Sequence, residues 1–133
     1  MCSDLRSPTE KAVQTHKEWG VSHLIEYRSI DATDVPFTDE FDLVLFKSVL
    51  GGIGRDGDKR RQEKAIREIH KALKSGGELF FAENLVASPL HRFLRHRFVQ
   101  WGPKWRYVSM AELIEFLSPF PEAHYRTVGF SGA

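Results

Sequence analysis

Cysteine is nearly absent: Cys2 is the one thiol in 133 residues, so no internal disulfide can form and nothing points to an oxidising compartment. Long apolar runs are missing as well. The densest, Leu43-Val44-Leu45-Phe46, falls far short of the ~18 residues that suggest a membrane span. The opening Met1-Cys2-Ser3-Asp4-Leu5-Arg6 has no apolar core of a secretory signal. Charge of one sign is not in excess, with 19 Lys and Arg against 18 Asp and Glu, which argues against a polybasic or an acidic tail. There is no repeat and no low-complexity stretch. What is present is a chain that is 41% hydrophobic, with 10 Phe and 3 Trp, too apolar for disorder. At this length roughly two-thirds of the unfolded surface can be buried, enough for one core and one domain over 1–133. A soluble cytoplasmic protein without membrane contact is the expectation.

Ser7-Pro8-Thr9-Glu10 combines an N-cap Ser, a Pro at the first helical position and a Glu three after the cap, so a helix is expected from there to Gly20. Residues 24–30 alternate weakly and read as a strand that ends in the turn formers Asp31-Ala32-Thr33-Asp34-Val35-Pro36. Phe41 to Phe46 has a continuous apolar centre, the mark of a strand buried on both faces of a parallel sheet. Residues 58–74 read as a helix with Ala65, Ile66, Ile69, Ala72 and Leu73 on its apolar face, closed by Ser75-Gly76-Gly77. Glu78 to Glu83 reads as the next buried strand. Ser88-Pro89 opens a short basic helix to about Phe98. Ser109-Met110-Ala111-Glu112 is a capping box for a helix carrying Leu113, Ile114 and Leu117, and Ala123 to Val128 reads as a last strand. Alternating strands and helices predict an α/β fold with a parallel sheet, whose ligands sit beyond the carboxyl ends of the strands.

Gly52-Ile53-Gly54-Arg55-Asp56-Gly57 is a literal G-x-G-x-x-G between a strand and a helix, and Glu83 ends the following strand. One reading is therefore a dinucleotide site, and with it an NAD(P)-binding oxidoreductase. Three checks weigh against it. Asp58-Lys59-Arg60-Arg61-Gln62 follows, which should face water rather than press on a strand. Glu83 lies beyond the ~20-residue spacing of the ribose acid. Lys47 to Leu50 separates the strand from the first glycine, so the turn is not tight against the core. The other reading is a flexible connector. A P-loop is excluded because Asp58, not Lys, follows Gly57.

Three strings in order carry a resemblance: Asp31-Ala32-Thr33-Asp34-Val35-Pro36-Phe37, then Glu40-Phe41-Asp42-Leu43-Val44-Leu45-Phe46, then Ile69-His70-Lys71-Ala72-Leu73-Lys74-Ser75-Gly76-Gly77-Glu78-Leu79. Together they resemble class I S-adenosylmethionine-dependent methyltransferases of the type 11-like kind, over about residues 2–130. The resemblance implies a Rossmann-like α/β fold, S-adenosylmethionine as cofactor and methyl transfer to an unidentified small or macromolecular acceptor. It implies that Asp4 closes the second strand and accepts hydrogen bonds from both ribose hydroxyls. It likewise implies that Asp31 lies beside adenine and takes its amine proton, with the Ala32 N–H offered to a ring nitrogen. Phe46 and Lys47 would flank the methionine portion.

The family's first strand and its glycine-rich loop precede the second strand, and a seventh strand follows the sixth. Neither is found between Met1 and Ala133. The expectation is a partial domain, lacking the first and seventh strands, in which only the pairing of 42–46 with 78–82 survives and the strand at 42–46 exposes an apolar edge. Such a fragment should bind the cofactor poorly.

Residues 91–98 and 101–107 interleave cations with aromatics. They read either as a basic module for a macromolecular partner or as an amphipathic helix with snorkelling cations. The rest of the chain is not basic, which argues against nucleic acid. The six His are scattered, and His91 and His96 do not share a helix face, so no metal site is expected. No catalytic residue stands out. Methyl transfer is an in-line displacement that needs positioning more than acid–base groups.

Overall fold

The first helix, α1 (Glu10–Glu18), starts at Thr9, whose hydroxyl accepts the Ala12 N–H at 3.3 Å. The cap is therefore Thr9 and not Ser7, because a Thr oxygen serves as well and sits directly before the helical register. In this computed structural model the described residues are 1–6, 9–86, 93, 97 and 105–128, so Ser7 and Pro8 lie outside them. The helix stops as expected, with Gly20 in the left-handed region at φ 68°.

Two short strands flank α1 in sequence, β1 (Cys2–Asp4) and β2 (Tyr27–Ser29). They pair in parallel, Cys2 beside Tyr27 and Asp4 beside Ser29. The strand expected over 24–30 is shorter, because Ser22–Leu24 take a 3₁₀ turn first. His16 Nδ1 lies 2.8 Å from the Tyr27 hydroxyl and ties α1 to β2.

The second pair is β3 (Phe41–Lys47) with β4 (Leu73–Ala82), again parallel, in register from Leu43 beside Glu78 to Lys47 beside Ala82. Between them run α2 (Leu50–Ile53), one 3₁₀ turn (Arg55–Gly57) and α3 (Lys59–Ala72). Asp58 caps α3 by accepting the Arg61 N–H at 3.1 Å. The helix ends two residues earlier than the periodicity suggests. Leu73 is buried as expected but extended (ψ 140°), and it opens β4 beside Phe41.

The β3–β4 pairing is as expected, but β1–β2 pairs too, so two two-stranded sheets form, and among the described residues no ladder joins them. What joins them is α3. The chain from β2 to β3 is stapled along it: Val35 N–H donates to Glu68 Oε2 at 3.2 Å, and Asp39 and Glu40 N–H groups reach the carbonyls of Lys71 and Ala72 at 3.1 and 3.0 Å.

The last helix, α4 (Met110–Phe116), has both arms of the Ser109–Glu112 capping box. Leu113 and Phe116 are buried on it, whereas Ile114 is half exposed, so the apolar face runs 113, 116, 117. The segment from Ala123 to Val128 forms no strand, since among the described residues no neighbouring strand offers it hydrogen bonds, and all six residues are exposed. The basic helix expected at 88–98 lies outside the described residues except at Phe93 and Arg97.

Leu50, Ala65, Ile66, Val108, Leu113 and Phe116 make the core, with Phe46, Leu79 and Phe81 packed against it from one face of β3–β4. Burying each of the larger side chains contributes about 1.5–3 kcal/mol. The other face is bare: Leu43 is 55%, Leu45 74% and Phe80 53% exposed. The expected burial of β3 on both faces is thus corrected to one. Among the described residues no helix is long and apolar enough to cross a membrane.

Candidate functional site

Two consecutive residues in the first turn of α3 gather the site. Arg61 Nη2 lies 3.9 Å from Asp31 Oδ2, and Gln62 Nε2 donates to the Leu50 carbonyl at 2.8 Å. The loop after β2 and the turn after β3 therefore meet at one end of α3, beyond the carboxyl ends of both strands. Ala32 and Phe46 both pack against the core cluster there. An open apolar depression lined by Leu45, Phe46, Lys47, Phe80, Phe81 and Ala82 marks the ends of β3 and β4.

Asp31 folds back on its own loop. Its Oδ1 accepts the Thr33 N–H and the Thr33 hydroxyl, both at 2.8 Å, an arrangement that short acidic side chains favour in turns. These bonds, the main-chain one first, hold the Asp31 carboxyl below its ordinary value, with Arg61 and Lys64 adding to the effect. Its side chain stays 40% exposed, with Oδ2 turned toward the Arg61 guanidinium. Asp4 ends β1 beside Ser29, exposed, and among the described residues no hydrogen bond or ion pair takes up its carboxylate. Asp4 and Asp31 thus close adjacent parallel strands. Lys47 ends β3 and is exposed.

The turn beyond Lys47 is tightly made. Ser48 adopts a left-handed φ of 54°, its N–H donates to the Ala82 carbonyl at 2.9 Å, and its hydroxyl accepts from Asn84 Nδ2 at 3.2 Å. Glu83 Oε1 accepts the N–H groups of Val49 at 2.5 Å and Leu50 at 2.8 Å. Burial pushes the Glu83 carboxyl up, against the lowering effect of those N–H donors.

The glycine run is neither a phosphate cradle nor a loose connector. Gly51 and Gly52 lie in α2, and Gly54 caps it. A Cβ on Gly51 would stand 1.7 Å from Trp105 Nε1, and one on Gly54 2.4 Å from Gln62 Cδ. These glycines admit an indole and an amide into the core, so the turn is tight after all: Leu50 is fully buried. Gln62, expected to face water with its charged neighbours, is fully buried too. Its Nε2 also donates to the Arg106 carbonyl at 3.1 Å, and its Oε1 accepts from Arg106 Nη1 at 2.5 Å. Arg106 in turn pairs with Glu112. This cation of the basic aromatic segment therefore serves the core; residues 87–92, 94–96 and 98–104 lie outside the described ones.

Sequence reading missed Gln62 and Glu83 as builders of the site. The one available signal for Gln62 was its position three before Ala65, on the apolar stripe of α3.

A family model described as "Methyltransferase domain" matches residues 2–81, more than half of the chain. The sarcosine/dimethylglycine N-methyltransferase of Halorhodospira halochloris is 39% identical over 80 residues, which are 59% of this chain and 26% of that protein. The crystal structure of the [4+2]-cyclase SpnF superposes with a TM-score of 0.59 at 25% identity, covering 81% of this chain and 36% of that one. The chain thus spans well under half of either relative. On the match to its strand–helix core, the chain belongs to the class I S-adenosylmethionine-dependent methyltransferases.

Proposed function

We propose that this domain serves S-adenosylmethionine-dependent methyl transfer, with Asp4, Asp31, Ala32, Phe46 and Lys47 facing the cofactor. The observation that carries the reading is that the first turn of α3 holds both the Asp31 loop after β2 and the turn at Leu50 that follows the Phe46–Lys47 end of β3. The residues present fit the group. Asp31 has a partly exposed carboxylate with lone pairs to offer an exocyclic amine, and Asp4 has a carboxylate able to take two vicinal hydroxyls. The Lys47 ammonium suits the amino-acid carboxylate of the cofactor. When bound, the cofactor supplies an electrophilic methyl on a sulfonium, and the chain's part is to hold and orient it.

In this reading β2-β1 and β3-β4 are the flanks of one parallel sheet. The place between β1 and β3 corresponds to the family's first strand. The acceptor stays unnamed. SpnF, a [4+2]-cyclase, illustrates that one fold carries several chemistries.

The test is a ¹⁵N-labelled titration with S-adenosylhomocysteine and, separately, NAD. The expected result is that S-adenosylhomocysteine shifts the amides of Asp31–Thr33 and Phe46–Ser48, while NAD does not. A response to NAD centred on residues 51–57 would instead favour the dinucleotide reading.

A further inference from the structure

We propose that Glu83 is a positioning residue for the cofactor-facing end of β3, an assignment that rests on the reading above. Glu83 follows β4 directly, and one of its carboxylate oxygens receives two successive main-chain donors, the Val49 and Leu50 N–H groups, from the neighbouring strand's exit turn. Those donors have no carbonyl partner, because they stand at the start of α2 where the helical ladder has not begun. On the other side of the same turn, the Leu50 carbonyl is held by Gln62. Directly before the two grips stands Ser48 in the left-handed region, a conformation that a non-glycine residue keeps only when its surroundings over-determine it.

The consequence reaches Lys47 and Phe46. Ser48 continues the β3–β4 ladder through its N–H to Ala82, so the direction in which β3 leaves the sheet is set by where residues 48–50 are pinned. Glu83 does this without touching the ligand. A carboxylate reaches both N–H groups with a two-methylene stem; Asp in its place keeps the charge and loses the reach, while Gln keeps the reach and one acceptor oxygen.

The experiment compares wild type, Glu83→Asp and Glu83→Gln by ¹⁵N spectra and titration with S-adenosylhomocysteine, a method that also reads weak binding. The Val49 and Leu50 amides, bound by the side-chain oxygen of residue 83, should lie at low field in the wild type and in Glu83→Gln and move upfield in Glu83→Asp. The half-saturating S-adenosylhomocysteine concentration should rise about tenfold in Glu83→Asp and stay within about twofold in Glu83→Gln. Unmoved Val49 and Leu50 signals in Glu83→Asp overturn the clamp. Moved signals with unchanged ligand response overturn the positioning role and leave Glu83 a purely structural group. A wild type that gives no response to S-adenosylhomocysteine overturns the functional reading and this assignment with it, and the ligand-free spectra still show whether the clamp exists.

Discussion

Gln62 and Leu50 are joined at 2.8 Å, the amide of a fully buried side chain on α3 donating to the carbonyl of the first residue of α2. The same Nε2 serves the Arg106 carbonyl, and its Oε1 receives the Arg106 guanidinium. Three separate segments therefore depend on one neutral amide. Gln62→Leu leaves two carbonyls and a guanidinium short of a partner in a water-poor setting, and should cost about 2–4 kcal/mol in urea unfolding. Gln62→Glu should cost at least as much, because a carboxylate cannot donate to the Leu50 carbonyl.

The glycines of the 51–57 run separate into two kinds by substitution. Gly51→Ala drives a methyl group into the Trp105 indole and should lower stability by about 1–3 kcal/mol. Gly57 has a φ of 86° and open space around its Cβ position, so Gly57→Ala should cost only its backbone strain, about 1 kcal/mol. Thermal unfolding of the two variants reads the difference. A larger loss for Gly57→Ala would mean that conformation, not packing, selects glycine here.

Those two residues also show where sequence reading succeeds and where it stops. Periodicity placed Ala65, Ile66, Ile69 and Ala72 on the buried face of α3, and the Ser109–Glu112 box was legible because caps are local chemistry. The β3–β4 pairing was legible through the strand order that the family resemblance implies, whereas the continuous apolar run suggested burial on both faces and only one is buried. Gly54 and Gln62 were misread for one shared reason. A glycine that makes room for a side-chain amide looks like one that makes room for a phosphate or like a loose connector, and a glutamine beside Arg60 and Arg61 looks solvated. Only the return of the chain at Trp105 and Arg106 tells them apart. Of the site residues, Asp31, Ala32 and Phe46 lie at the gathering point, while the Val49 and Leu50 N–H groups, which decide what Glu83 does, leave no trace in a string of side chains.

Asp31 should titrate below its ordinary value of 3.8, because the folded carboxylate accepts two bonds from Thr33. A depressed folded pKa stabilises the protein above the unfolded value, and that contribution is lost as pH falls through the folded one. Thr33→Val removes the hydroxyl and keeps the main-chain N–H, so Asp31 should move part of the way back up toward 3.8. The stability difference between wild type and Thr33→Val should shrink as pH falls below that value. Carbonyl-detected NMR of Asp31 follows the titration, and unfolding at several pH values follows the linkage. An Asp31 titration unmoved by Thr33→Val would leave the main-chain N–H of residue 33, with Arg61 and Lys64, as the cause.

The two faces of β3–β4 should answer a charge in opposite ways. Phe46 and Leu79 pack against the core, and Leu45 and Phe80 lie on the bare side. Leu45→Lys removes little buried surface, so its effect on unfolding should stay within about 0.5 kcal/mol. Leu79→Lys pushes an ammonium toward the apolar core and should cost about 3 kcal/mol or more. Bare apolar faces beside an open strand edge also promote self-association, and an added lysine is a means by which such edges are kept apart. Leu45→Lys should therefore lower the scattering intensity of concentrated solutions while leaving the unfolding midpoint in place. If it instead unfolds the chain as Leu79→Lys does, Leu45 is covered in solution, and the face of β3–β4 that carries it belongs to the core.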